Sequence, residues 1–295
     1  MKVTSSVMRG AWGLMLALVA ALAQAQPSPE REREFKAAAE AAKAASIAGP
    51  SDVTLADQAV LKLPAGMVYV PQPAAGRLME AMGNSRDPQL LGLVRGGDGW
   101  VILVAYEASG YVKDDDAKNW NVDDLFKSLK DGTEEGNKRR KEMGFPPLEI
   151  VGWVQKPNYD ATSHRLVWSM AARNPGESEA DQSVNYNTYA LGREGYVTLN
   201  LITARATVDQ DKPAAHTLLS ALQFKDGKRY EDFNASTDKM AEYGLAALVA
   251  GVAAKKFGLI AVILAFAAKF AKVLLLAGAG VAAVVAKFFR RGKTE

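Results

Sequence analysis

Few residues in this chain could carry acid–base or metal chemistry. The 295 residues include no cysteine and only two histidines, His164 and His216. Without thiols there are no disulfides, thiolate nucleophiles, Fe–S clusters or cysteine-ligated zinc. A helical metal pair on His216 needs a second ligand one turn on, and that position is Ser220. His164 sits in a polar turn over residues 159–165. A catalytic triad built on it is conceivable, but a lone turn histidine reads as solvated. Asp114-Asp115-Asp116 could attract a cation, yet three consecutive acids diverge and lack the alternating spacing of a calcium loop. They read as a solvated turn. No phosphate loop, dinucleotide fingerprint, H-E-x-x-H or G-x-S-x-G occurs. No spacing singles out a carboxylate pair for glycoside chemistry. Asn234-Ala-Ser236 matches a glycosylation sequon by chance. No cofactor or metal is expected, and no catalytic residue stands out.

The elements that would position these side chains are short strands interspersed with helices. Predicted strands cover residues 58–63, 67–70, 90–95, 100–107, 149–155, 165–173, 183–191 and 196–203. The run Trp100-Val-Ile-Leu-Val-Ala-Tyr106 is almost wholly apolar, as in a central strand. Gly96-Gly-Asp-Gly99 and Leu191-Gly-Arg-Glu-Gly-Tyr196 read as hairpin turns, which imply antiparallel pairing. Helices are predicted at 74–82, 123–143 and 213–222. In the second, Asn121 or Asp123 caps, acids lead, and Lys138-Arg-Arg-Lys141 closes in accord with the helix dipole. Helices scattered among hairpins indicate an α+β fold, a largely antiparallel sheet with two or three helices. Trp100, Trp153 and Trp168 are expected in the core and Trp120 at the surface. Residues 26–50, rich in Ala, Glu and Lys, read as a solvated helix or tether before a domain over residues 51–239.

Charge separates the ends from the middle. The chain carries 36 basic and 33 acidic residues, a net of +3, but residues 244–295 hold eight basic residues and one acid. The excess positive charge flanks apolar segments, which points to a membrane and not to nucleic acid. Lys2 and Arg9, an apolar run over 11–23 and Ala23-Gln24-Ala25 have the order of a secretory signal peptide, residues 1–25. Residues 240–295 read as a C-terminal membrane anchor with a basic tail. A single span must include Lys269 and Lys272, whose long stems can snorkel. Gly278 begins a small-residue spacing with Ala282 and Ala286 that lets helices approach closely. Arg290 and Arg291 mark the cytoplasmic end. A hairpin turning at the lysines, or a helix lying in the interface, are the other arrangements.

Six segments add a resemblance. They are Ser109-Gly-Tyr-Val-Lys-Asp-Asp-Asp116, Gly132-Thr-Glu-Glu-Gly-Asn-Lys138, Pro146-Pro-Leu-Glu-Ile-Val-Gly-Trp153, Ser183-Val-Asn-Tyr-Asn-Thr-Tyr189 with Leu191-Gly-Arg193 and Gly195, Lys228-Arg-Tyr-Glu-Asp-Phe-Asn234, and Asp238-Lys-Met-Ala-Glu-Tyr-Gly-Leu-Ala-Ala247. In this order, from about Val53 to the basic tail, the chain resembles the DUF2167 family of bacterial membrane-anchored proteins. The resemblance implies an exported domain with a C-terminal anchor and transfers no catalytic residue, ligand or cofactor. The expectation is a non-catalytic binding or assembly protein of the inner membrane, its main domain facing the periplasm. Its partners would be the lipid bilayer and a protein partner or second copy, with no nucleic acid. The alternative is an envelope hydrolase using Asp and Glu residues in a cleft.

Overall fold

The structure is a computed structural model that describes residues 29–82, 84, 86–96, 100–142 and 146–250. The expected signal peptide lies outside the described residues, as does the tail from residue 251, with Lys269, Lys272, Gly278, Arg290 and Arg291. Among the described residues no helix is long and apolar enough to cross a membrane.

The described residues open with α1 (Pro29–Ala44), then β1 (Ile47–Ala48), β2 (Ser51–Leu55), β3 (Ala59–Leu63), β4 (Val68–Pro71) and α2 (Ala74–Ala81). They continue through β5 (Leu90–Arg95), β6 (Val101–Glu107), α3 (Val122–Glu142), β7 (Glu149–Asp160), β8 (Arg165–Arg173), β9 (Ser183–Leu191) and β10 (Tyr196–Ala204). The described residues end with α4 (Val208–Ala221), β11 (Leu222–Phe224) and α5 (Leu245–Ala250). The expected α+β class and antiparallel sheet hold. The large sheet has eight strands in the order β1-β4-β5-β6-β10-β9-β8-β7, and a small one has the order β11-β3-β2. All their ladders are antiparallel.

Alternation on the central strands separates two apolar faces. On one face Ile102 and Val104 of β6 and Val197, Leu199 and Leu201 of β10 meet Leu61 and Leu63 of the small sheet and Leu218 of α4. On the other, Val70 and Leu93 meet α1 and α2. Farther along the sheet, α3 packs on β7 and on α5. Side chains on both faces explain why β6 reads as nearly continuous apolar text.

Five α-helices occur among the described residues: the three expected between residues 51 and 239, α1 in the stretch read as a helix or tether, and α5 at the start of the apolar text. The departures from expectation have physical reasons. α1 was expected as a solvated helix or tether, but it packs through Phe35, Ala38 and Ala42, which share a face at helical spacing. Arg77 of α2 also reaches Glu34 at 2.8 Å. α4 starts at Val208 and not Pro213, because the buried Asp211 carboxylate accepts hydrogen bonds from Thr203 and from Thr207, the latter at 2.7 Å. Leu222, expected to end that helix, instead begins β11 opposite Leu61. Asn121 caps α3 as expected, accepting the Asp123 amide at 2.9 Å. Trp100 and Trp168 are buried. Trp153 is half-buried and stacks edge-on to Trp168, and Trp120 is half-buried where exposure was expected.

Candidate functional site

One end of the large sheet gathers four of the six segments singled out in the sequence. The chain leaving β6 turns at Gly110, whose φ of +88° suits glycine. This lets Tyr111 pair with the strand-like run 239–241: the Tyr111 amide donates to the Lys239 carbonyl at 2.9 Å and the Ala241 amide to the Tyr111 carbonyl at 2.8 Å. The β9–β10 hairpin meets the same run of chain. The Arg193 amide donates to the Lys228 carbonyl at 3.0 Å, and the Gly110 amide to the Glu194 carbonyl at 3.0 Å. The Arg193 guanidinium grips Asp238 with two bonds of 2.7 Å. Glu194 accepts from Lys228 and Gln58, each at 2.8 Å. Residues 225–241 are thereby held on the sheet end by backbone and ionic bonds together.

Two of the three aspartates are engaged in the fold, while Asp115 is exposed. Asp114 accepts the Tyr159 phenol proton at 2.8 Å. Asp116 reaches α5, its two oxygens accepting the Leu245 and Ala246 amides at 3.0 Å each. A carboxylate at a helix N-terminus satisfies orphan amides and complements the dipole. Gly244 permits this approach, since a Cβ there would lie 2.4 Å from Asp116 Oδ2. Tyr189 adds a bond from its phenol to the Leu248 carbonyl at 3.1 Å, and Leu245, Leu248 and Val249 are buried. The first turns of the apolar C-terminal text are therefore part of the folded domain. The sequon is also turn chemistry: Asn234 Oδ1 accepts from the Ser236 amide at 3.0 Å and its hydroxyl at 2.7 Å.

His164 is not a solvated turn residue. It has φ +52°, a region that non-glycine residues rarely adopt. Its ring stacks on Tyr230 at 4.1 Å, Tyr230 stacks on Tyr111 at 4.4 Å, and Tyr111 on Phe233 at 3.9 Å. Tyr159 Oη lies 3.2 Å from His164 Nδ1. The phenol has one proton and gives it to Asp114, so Nδ1–H is the donor to the phenol oxygen. Burial first, then the bond to Asp114, pushes the Tyr159 phenol far above its ordinary range, so it stays protonated. Ser163 donates to Asp160 at 2.6 Å and not to His164. The neighbouring serine and histidine are thus committed to different partners, and no serine–histidine dyad forms.

Beside His164 lies a half-open cleft of about 330 Å³ between the start of β8, the end of β9, β11 and residues 229–231. Its apolar walls are Leu191, Leu222 and Phe224, its cations Arg165 and Arg229, and its carboxylate Glu231. A two-carboxylate hydrolase would need a second acid in that lining. Among the described residues no group of three metal-ligating side chains forms. His216 is on the exposed face of α4, with Nε2 3.0 Å from the Tyr186 hydroxyl.

The clamp has a pH signature. The Arg193 hydrogen bonds first, and then the Asn234 amide, hold the Asp238 carboxyl well below its ordinary value of 3.8. A depressed native value stabilises the fold fully above the unfolded value and loses that contribution as pH falls through the native one. Glu194 is lowered with the same sign, chiefly by its bond to Lys228. Amide exchange at Ala241 should therefore quicken relative to Leu201 as pH falls below about 3.8. Arg193→Ala should remove much of that acid dependence. An Ala241-to-Leu201 ratio that stays flat through acid would contradict a clamp of this kind.

Comparison with known proteins adds a family. The profile described as "Protein of unknown function (DUF2167)" matches residues 47–279. No curated protein matches the chain. Among solved structures, cyanobacterial PsbP (CyanoP) from Synechocystis sp. PCC 6803 is similar at 12% identity, TM-score 0.36, covering 61% of this chain and 91% of its own. PA94 of Pseudomonas aeruginosa, a protein of unknown function, is similar at 10% identity, TM-score 0.24, covering 57% and 92%.

Proposed function

This chain belongs to the DUF2167 family, and from that premise we propose that it is a non-catalytic binding and assembly protein of the bacterial cell envelope, anchored in the inner membrane by residues beyond 250 with its folded domain on the periplasmic side. The observation that supports the reading best is the built-in start of the apolar text. Asp116 caps α5, Tyr189 bonds it, and three of its apolar side chains are buried. A flexible linker would leave domain and tail independent. A docked α5 instead fixes the point at which the apolar text leaves the domain.

The rest of the support is textual. Residues 244–294 contain no acid, and Arg290, Arg291 and Lys293 cluster at the end, which favours a cytoplasmic terminus. The clamp side chains Arg193, Asp238, Glu194 and Lys228 are satisfied by one another, a pattern that suits holding more than turnover. The test is fractionation of the full chain beside one ending at Ala250. The full chain should stay in the pellet through alkaline carbonate, and the shortened chain should be released. A reporter active only in the cytoplasm should work after Glu295, and one active only outside should work before Gly244. A full chain that washes off with carbonate would sink the anchor, since only a surface-lying helix behaves so. An inactive C-terminal reporter beside an active outer one would favour a hairpin turning at Lys269 and Lys272.

A further inference from the structure

The cleft beside His164 is a built concavity that the clamp does not use. Its polar lining is uneven. Arg229 is paired with Asp226. Arg165, half-buried at the first position of β8, has neither hydrogen bond nor ion pair through its guanidinium among the described residues. A half-buried guanidinium has lost part of its hydration, so an anion that restores its bonds gains more there than at an open surface. The cleft walls are apolar, with Leu191 and Leu222 buried and Phe224 half-buried. Gly192 keeps Phe224 in place, since a Cβ there would lie 2.5 Å from its ring. His164, in its left-handed conformation, forms a fixed wall through its stack on Tyr230. Strained residues of this kind persist where surroundings overdetermine them, and they concentrate at ligand sites.

We propose that this cleft binds a small organic acid, with the carboxylate forked on Arg165 and an apolar or aromatic body against Leu191, Leu222 and Phe224. The volume of about 330 Å³ lies at the low end for small-molecule sites, which limits the body to a ring or short chain. One unmatched guanidinium suits one carboxylate in bidentate geometry. A phosphate dianion would lack a second free cation and would face Glu231 in the same lining. Glu231 is exposed, so water screens its effect on a single negative charge.

The test is calorimetric titration of the full detergent-solubilised chain with 3-phenylpropanoate, 3-phenylpropanol and 3-phenylpropylamine. Partitioning into detergent or the apolar tail is common to the native chain and its variants and cancels between them. The acid should bind saturably, and at least about tenfold more tightly than the alcohol or the amine. Arg165→Gln should weaken the acid by about tenfold or more and leave the alcohol unchanged, and Arg165→Lys should recover part of the loss. Equal binding of acid and alcohol to the native chain overturns the proposal, as does an acid affinity that Arg165→Gln does not change. Should Arg165→Gln fail to fold, the acid–alcohol comparison on the native chain decides alone, with each ligand's heat of titration into protein-free detergent subtracted. Membrane retention of the full chain does not depend on this cleft, so the two readings can fail separately.

Discussion

Gly110→Ala should release residues 239–250 from the sheet end while the sheets themselves stay folded. The substitution meets two obstacles. At φ +88° an alanine pays on the order of 1–2 kcal/mol for its left-handed backbone. Its Cβ would also lie 2.5 Å from the Lys239 carbonyl oxygen, a backbone atom that can move only with its strand. Together these amount to about 2–4 kcal/mol. The strand most easily moved is 239–241, held there by the two bonds to Tyr111. Its displacement draws Gly244 and α5 away from Asp116. Hydrogen exchange should therefore rise steeply at Ala241 and Leu245 with little change at Leu201. Uniform acceleration across both segments would mean that the sheet end and the core unfold as one unit.

Leu201→Ala should act on the whole domain. Leu201 is fully buried on β10, in the core shared by the large sheet, the small sheet and α4. The truncation deletes three carbons, a methine and two methyls, from a site walled by strands on both sides, where relaxation is limited. The expected cost is about 2–5 kcal/mol. Denaturant unfolding of the intact protein should show a lower midpoint with an unchanged slope. A loss below about 1 kcal/mol would mean that the two layers close over the gap more readily than their packing suggests. The contrast with Gly110→Ala is diagnostic, since one change is confined to the sheet end and the other reaches every layer.

Much of the fold is legible in the text because its causes are local. The apolar run of β6, the Leu191–Tyr196 hairpin and the Asn121 cap each depend on residues within a few positions of one another. Periodicity and turn chemistry record such causes directly. The order of the six segments was enough to identify the family. The absence of cysteines and of the common cofactor motifs was likewise a property of the text alone. Where prediction and structure part, the cause lies in a contact with another element. α1 is docked because α2 presents Ala75 and Leu78 to its alanine face, some 40 positions on. Asp211 moves the start of α4 because Thr203 at the end of β10 is there to meet it.

The candidate site is the extreme case. Asp114 and Tyr159 are 45 positions apart, Asp116 and Leu245 129 apart, and Tyr230 and Val112 118 apart. Each segment read alone is a polar turn, and the solvated reading of His164 and of the three aspartates was the natural one. A sequence records which side chains can donate, accept or stack. It does not record which of them the strand order β6-β10-β9-β8 brings to one end of a sheet. Nor does it record that Arg165 has no partner among the described residues while Arg193 finds Asp238. Composition and order alone determined the chain's family, its fold class and the chemistries it lacks. The tertiary structure decided which polar groups became a clamp and which was left open toward a cleft, because pairing distant groups depends on the backbone path and not on their own chemistry.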